Sequence, residues 1–228
     1  MEHFSQIIQK LFEGFGNTIS LFAITLVLAL PLGLILAFGS MSSFKPLRWL
    51  VKILVWIIRG TPLMLQILLV SFLPQYVFHV PTKEVAANLN ITVNETMFLF
   101  VAVAFVINYA CYFSEIYRSG IEAIPRGQYE AGAVLGLSKR SIFSKIVFMQ
   151  VVKRILPPMS NEIITLVKDT SLAQVLGVID LLTAAKHAVN TYVILTPFVY
   201  AAIIYLVFNG ILTLVLGWCE KKLSYYKV

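Results

Sequence analysis

The sequence is poor in charge: only 13% of its 228 residues are Asp, Glu, Lys or Arg, about half the share usual in a soluble domain. With 59% hydrophobic residues and a mean hydropathy of +0.85, that scarcity points to a membrane protein. Cysteine is scarce too. Cys111 and Cys219 lie far apart in apolar settings without metal-ligand spacing, so they read as small buried hydrophobes. There is no Gly-x-x-x-x-Gly-Lys-[Ser/Thr] run to cradle phosphates, no serine nucleophile elbow and no histidine pair with zinc spacing. The chain is therefore not expected to be an enzyme by itself. The first sixteen residues carry Glu2, Lys10 and Glu13 without a basic leader, and the first apolar run is too long for a signal-peptide core, so the first span is expected to be retained.

What is present is long apolar sequence. Charge-free intervals cover 14–44, 60–82, 96–114 and 188–219, and a fifth apolar region, 155–182, is interrupted by Lys168, Asp169 and Asp180. A spanning helix needs roughly 20 apolar residues, so four intervals suffice, and the fifth spans if its charges face protein or water. The expectation is an all-α membrane protein, one domain over residues 1–228, with five transmembrane helices. Fourteen of the eighteen basic residues then fall on one side: four in 44–59, seven in 115–154 and three in 220–228. The positive-inside rule places the N-terminus outside and the C-terminus in the cytoplasm. The net charge of +7 is thereby a topology signal and not a nucleic-acid footprint.

Residues 1–16 read as a short amphipathic helix lying on the outer surface, through Phe4, Ile7, Ile8, Leu11, Phe12 and Phe15. Asn17 or Thr18 then caps helix 1, which Pro31 and Gly33 should kink. Leu47 to Ile58 starts at the cytoplasmic interface, and Gly60-Thr61-Pro62 breaks the pattern, with Thr61 as N-cap before a crossing over 63–78. Residues 79–95 form an outer loop, helix 3 covers about 96–113, helix 4 opens at Pro157-Pro158, and helix 5 covers roughly 191–218.

Between helices 3 and 4 lies a basic amphipathic stretch that cannot cross a bilayer. Gly127 to Leu135 favours a short helix, Gly136 suits the left-handed residue that ends it, and Ser138 can cap the next helix from Lys139. Ala131, Val134, Leu135, Leu137, Ile142, Phe143 and Ile146 supply an apolar face, small Ala131 and Gly132 allow close approach, and Glu130 offers a carboxylate beside them. On physics alone this helix–turn–helix either rests on lipid headgroups or receives a partner. Inside the spans, Lys168 and Asp169 either pair with each other or form a polar patch on a translocation route. We adopt the second reading, with Asn161, Glu162, Thr165 and Ser171 beside them. A cation for a carboxylate and an acceptor for an ammonium group would suit an amino acid. Gln66 and Asn108 are uncharged polar groups inside spans, suited to interhelical hydrogen bonds or to substrate contact.

Glu130-Ala131-Gly132, three residues, Gly136, nine residues and Ile146 together resemble the EAA motif of ABC importer permeases. Arg59-Gly60-Thr61-Pro62-Leu63, the stretch Tyr112 to Gly120, Gly127-Gln128, Asn161-Glu162 and the stretch Leu166 to Leu172 resemble the polar amino acid uptake subfamily, and the likeness runs over roughly residues 14–222. Two departures are visible: Gly132 replaces the motif's second alanine, and Phe148-Met149 stands where Leu-Pro usually closes it. The resemblance implies that Gln128, Glu130, Ala131, Gly132 and Gly136 belong to a coupling segment, about 127–146, that inserts into a cytoplasmic ABC ATPase. It further implies a dimer of such ATPases that binds ATP and Mg, a second permease subunit, identical or homologous, and an extracytoplasmic amino-acid-binding protein. The expected location is the bacterial inner membrane, in contact with lipid. Two rivals remain: an ion-coupled secondary transporter, whose inverted repeats are not visible here, and a non-transporting membrane scaffold.

Overall fold

A computed structural model describes residues 2–223, which are almost entirely helical. In chain order the described helices are α1 (Glu2–Ser40), α2 (Lys45–Arg59), α3 (Leu63–Val77), α4 (Thr82–Leu89), α5 (Val93–Glu122), α6 (Arg126–Val134), α7 (Lys139–Ile142), α8 (Phe148–Asp169), α9 (Leu181–Tyr192) and α10 (Thr196–Leu223). A π-turn, Phe143–Val147, joins α7 to α8, and a 3-10 turn, Thr170–Leu176, continues α8. Three of these, Phe4–Ser40, Val93–Glu122 and Thr196–Leu223, are long and apolar enough to cross a membrane. Two bent pairs raise the possible number of spans to five: α2 with α3, bent by 110°, and Lys139–Leu176 with α9, bent by 56°.

The N-terminal expectation is corrected. Instead of a separate surface helix followed by a cap, α1 runs unbroken from Glu2 through Pro31 to Ser40. Ile7 and Leu11, two members of that amphipathic stripe, are buried against Leu181, Ala184, Ala185 and Ala188 of α9. Asn17 donates from Nδ2 to the Ile179 carbonyl at 2.8 Å, and Thr18 accepts the Leu181 amide at 3.1 Å while donating to the Gly14 carbonyl. Both side chains join α1 to the start of α9, so neither caps a helix.

α9 is the element that sequence pattern conceals. Asp180, which looks like a charge interrupting a span, is its N-cap: the buried carboxylate accepts the Leu182 and Thr183 amides at 3.1 and 3.0 Å, and the Tyr205 hydroxyl at 3.3 Å. A buried carboxylate needs such a set of donors.

Three further boundaries move. Thr61 does not cap α3; its hydroxyl donates to the Ile57 carbonyl at 3.0 Å at the end of α2, and Pro62 occupies the cap position without a side-chain bond. Residues 79–95, expected as a loop, contain α4, and α5 opens at Val93 through a reciprocal pair, Glu95 amide to Thr92 hydroxyl and Thr92 amide to Glu95 carboxylate. Pro157 and Pro158 lie inside α8 and do not start it. Each proline releases the carbonyl four residues earlier, here Lys153 and Arg154, in the basic stretch and away from the apolar middle.

The main core joins α1, α5, α8 and the 3-10 turn, with Leu21, Ala29, Phe105, Tyr109, Phe113, Leu166 and Val167 at its centre. By contrast, α10 is largely exposed, with Leu206, Leu214 and Trp218 on its open face.

Candidate functional site

Two constellations stand out, one inside the helical bundle and one at the end where α5 gives way to α6.

Inside the bundle, Gln66 and Asn108 meet. Asn108 donates from Nδ2 to Gln66 Oε1 at 3.0 Å, and Gln66 donates from Nε2 to the Ile58 carbonyl at 2.7 Å and to the Thr61 hydroxyl at 2.8 Å. Gln66 thus clasps the α2–α3 bend while Asn108 ties it to α5. Both side chains are buried and bonded to protein, the arrangement expected of interhelical polar pairs.

Asp169, at the end of α8, accepts a 2.7 Å hydrogen bond from the hydroxyl of Tyr109 on α5. Among the described residues no ion pair joins Lys168 to Asp169. Lys168 and Asn161 are exposed on one flank of α8, with Glu162 and Thr165 half-buried beside them and Glu162 within electrostatic range of Tyr109 and Asp169. Ser171 donates back to the Lys168 carbonyl at 2.8 Å. The structure therefore brings Asn161, Glu162, Thr165, Lys168 and Asp169 to one region and sets Gln66 and Asn108 into a separate clasp. Tyr109 was missed by sequence reading. A phenol in an apolar span, with a carboxylate waiting in another, is the signal that could have found it.

At the other constellation, the expected helix–turn–helix is present. α6 ends at Val134, Gly136 takes φ +74°, and the Ser138 hydroxyl accepts the Ser141 amide at 3.2 Å to cap α7. The left-handed conformation at Gly136 is one that other residues adopt only with strain. Ile124, Ile142, Val147 and Val151 form a small core beneath the turn, with Leu137 and Ile146 packed on it. Gln150 also reaches Gln128 at 3.3 Å.

The apolar residues assigned to one face divide in two. Leu137, Ile142 and Ile146 anchor the segment, whereas Val134 and Leu135 are 87% and 76% exposed beside exposed Glu130 and Ala131. Gly132 faces inward: a Cβ there would stand 2.7 Å from Ile142 Cγ1. The close approach expected from a partner at Gly132 is taken by Ile142 of the same chain.

The end of α5 is braced by ions. Arg118 grips Glu115 with two hydrogen bonds, 3.1 and 2.6 Å, and Glu122 with one at 2.6 Å. Arg59 at the end of α2 stands 3.6 Å from Glu115 and lies over the Tyr112 ring. Glu115 and Arg118 form an ion pair one turn apart, and Arg59 extends it to the α2–α3 bend.

The comparisons with known proteins agree with one another. The family model described as "Binding-protein-dependent transport system inner membrane component" matches residues 29–225. The chain is 34% identical over 216 residues to the L-cystine transport system permease protein TcyB of Bacillus subtilis (strain 168), covering 93% of this chain and 86% of that protein. It is 34% identical over 214 residues to the arginine transport system permease protein ArtQ of the same organism, covering 93% and 91%. A solved amino acid ABC transporter crystallised with histidines superposes with a TM-score of 0.80 at 27% identity, over 96% of both chains.

Proposed function

Because the chain belongs to the family of binding-protein-dependent transport system inner membrane components, we propose that it is the membrane-spanning permease subunit of an ATP-driven importer for polar amino acids. The relatives' names, for cystine and arginine, support an amino acid as cargo.

In this reading five spans cross the inner membrane with the N-terminus outside and the C-terminus in the cytoplasm. The segment from Gln128 to Ile146 lies on the cytoplasmic side and docks into an ABC ATPase. One observation carries this: Val134 and Leu135 are exposed at the tip of a helix that a private core, Ile124 with Ile142, Val147 and Val151, holds rigid. A firmly mounted apolar tip beside a carboxylate is a mechanical handle. Its displacement passes through α7 and the π-turn into α8, which carries Asn161, Glu162, Thr165, Lys168 and Asp169.

The exposed flank of α8 supports a second permease subunit. A lysine facing lipid near the middle of a span costs about 2.5–3.5 kcal/mol, so Lys168 calls for water or protein opposite it. A paired subunit would supply both, and the shared space would form the substrate path. Residues of these spans supply binding and orientation, and ATP and Mg are handled by the partner ATPase. An external binding protein would deliver the amino acid. ATP-driven closure of the ATPase pair would swing the bundle outward-open, and hydrolysis would reset it.

Docking is tested by expressing the chain with its ATPase and measuring copurification. Glu130→Lys and Leu135→Asp should each abolish it while the protein still inserts in the membrane. Unchanged copurification in both variants would overturn the coupling role.

A further inference from the structure

α2 has four faces in sequence around its axis. At about 100° per residue, Lys45, Arg48, Lys52 and Arg59 fall within about 60° of arc. Buried Val51 and Val55 border that stripe on one side. Trp49 and Trp56, 63% and 75% exposed, border it on the other, and beyond them Leu50, Ile53, Leu54 and Ile57 are exposed. Basic residues, then tryptophans, then aliphatics is the order met on passing from water through headgroups into acyl chains.

The packing fixes the helix's direction. Val51 lies well inside α2 yet packs at Gly39, one residue from the end of α1, and Val55 clusters with Cys111 of α5. A hairpin partner running back along α1 would meet it about one and a half turns earlier. α2 instead crosses from α1 to α5, and the chain bends by 110° before α3 begins its climb. Where α2 meets α5, a pocket of about 240 Å³ is lined by Lys52, Val55, Trp56, Arg59, Glu115 and Arg118. Three cations face one carboxylate there. Arg118 is held by Glu115 and Glu122, Arg59 stands 3.6 Å from Glu115, and among the described residues Lys52 makes no ion pair, so the pocket carries an excess of positive charge.

We propose that α2 lies in the membrane interface and that this pocket holds the phosphate of an anionic phospholipid between Lys52 and Arg59, with Trp56 against its glycerol region. The leaflet, cytoplasmic, rests on the orientation proposed above; the lipid site itself does not. Because Arg59 also braces Glu115 and Tyr112, a bound lipid sits on the joint from which the α6–α7 segment leaves.

The test uses the full chain in symmetric nanodiscs, with Trp49→Phe and Trp218→Phe leaving Trp56 as the fluorophore. Its quenching is compared between phosphatidylglycerol and phosphatidylcholine brominated at stated depths, in discs containing both lipids. Phosphatidylglycerol should quench several-fold more strongly, with shallow bromines most effective. Lys52→Gln should reduce that preference about fivefold, the equivalent of ~1 kcal/mol per basic residue at an anionic surface. Lys52 is exposed, so the variant folds. Equal quenching by both lipids, strongest quenching from deep bromines, or loss of the preference when inorganic phosphate replaces chloride at equal ionic strength would each overturn the proposal. Symmetric discs make the result independent of orientation, and ATP-driven uptake can fail while the lipid preference stands.

Discussion

Tyr109 reaches Asp169 with its hydroxyl, and this is the hydrogen bond that links α5 to the end of α8. Tyr109→Phe should lower the thermal midpoint of the purified protein by the equivalent of about 1–3 kcal/mol, the range for a hydrogen bond to a charged or buried partner; an unchanged midpoint would show the contact to be idle. Val193 closes α9 at φ 55° with its side chain 87% exposed. A β-branched residue in that conformation is strained by about 1–2 kcal/mol, so Val193→Gly should raise the same midpoint, and a fall would contradict the strain. Single residues were unevenly legible. Gly136 and Ser138 announced their roles because a left-handed turn and a cap need those residue types. Asp180 did not, because a charge in an apolar run looks the same whether it caps a buried helix or faces a pore.

At the scale of elements, hydropathy located the long spans and failed wherever a helix stops inside protein. α9 is rich in alanine and buried against α1 and α10, but Lys186 and His187 divide the apolar pattern there, so its residues fall between the regions read as spans. The prolines of α8 misled for a different reason: the carbonyls they release lie in the basic stretch outside the apolar middle, so the helix continues through them. The helix–turn–helix at 127–146 was legible because its two short helices, turn and cap are local features. What sequence could not supply was which side of α6 faces in. Since Gly132 lies against Ile142, Gly132→Leu should overpack the turn by about 1–3 kcal/mol and lose ATPase copurification without losing membrane insertion. Ile142→Ala in the same chain should restore it, and copurification of Gly132→Leu at the original level would refute the packing.

For the whole molecule, one chain presents an exposed Lys168 on α8, an exposed α10 and an exposed apolar tip at Val134 and Leu135. Each of these open surfaces fits an assembly of permeases and ATPases better than a chain acting alone. Lys168→Ala should leave that assembly intact and reduce transport about tenfold or more, read as uptake per mole of complex; full uptake would reduce Lys168 to a structural residue. The central claim is tested most directly by uptake of a labelled polar amino acid into vesicles containing this subunit, its ATPase and its binding protein. Accumulation should require internal ATP and persist when ion gradients are collapsed. Accumulation that follows an ion gradient and ignores ATP would contradict it.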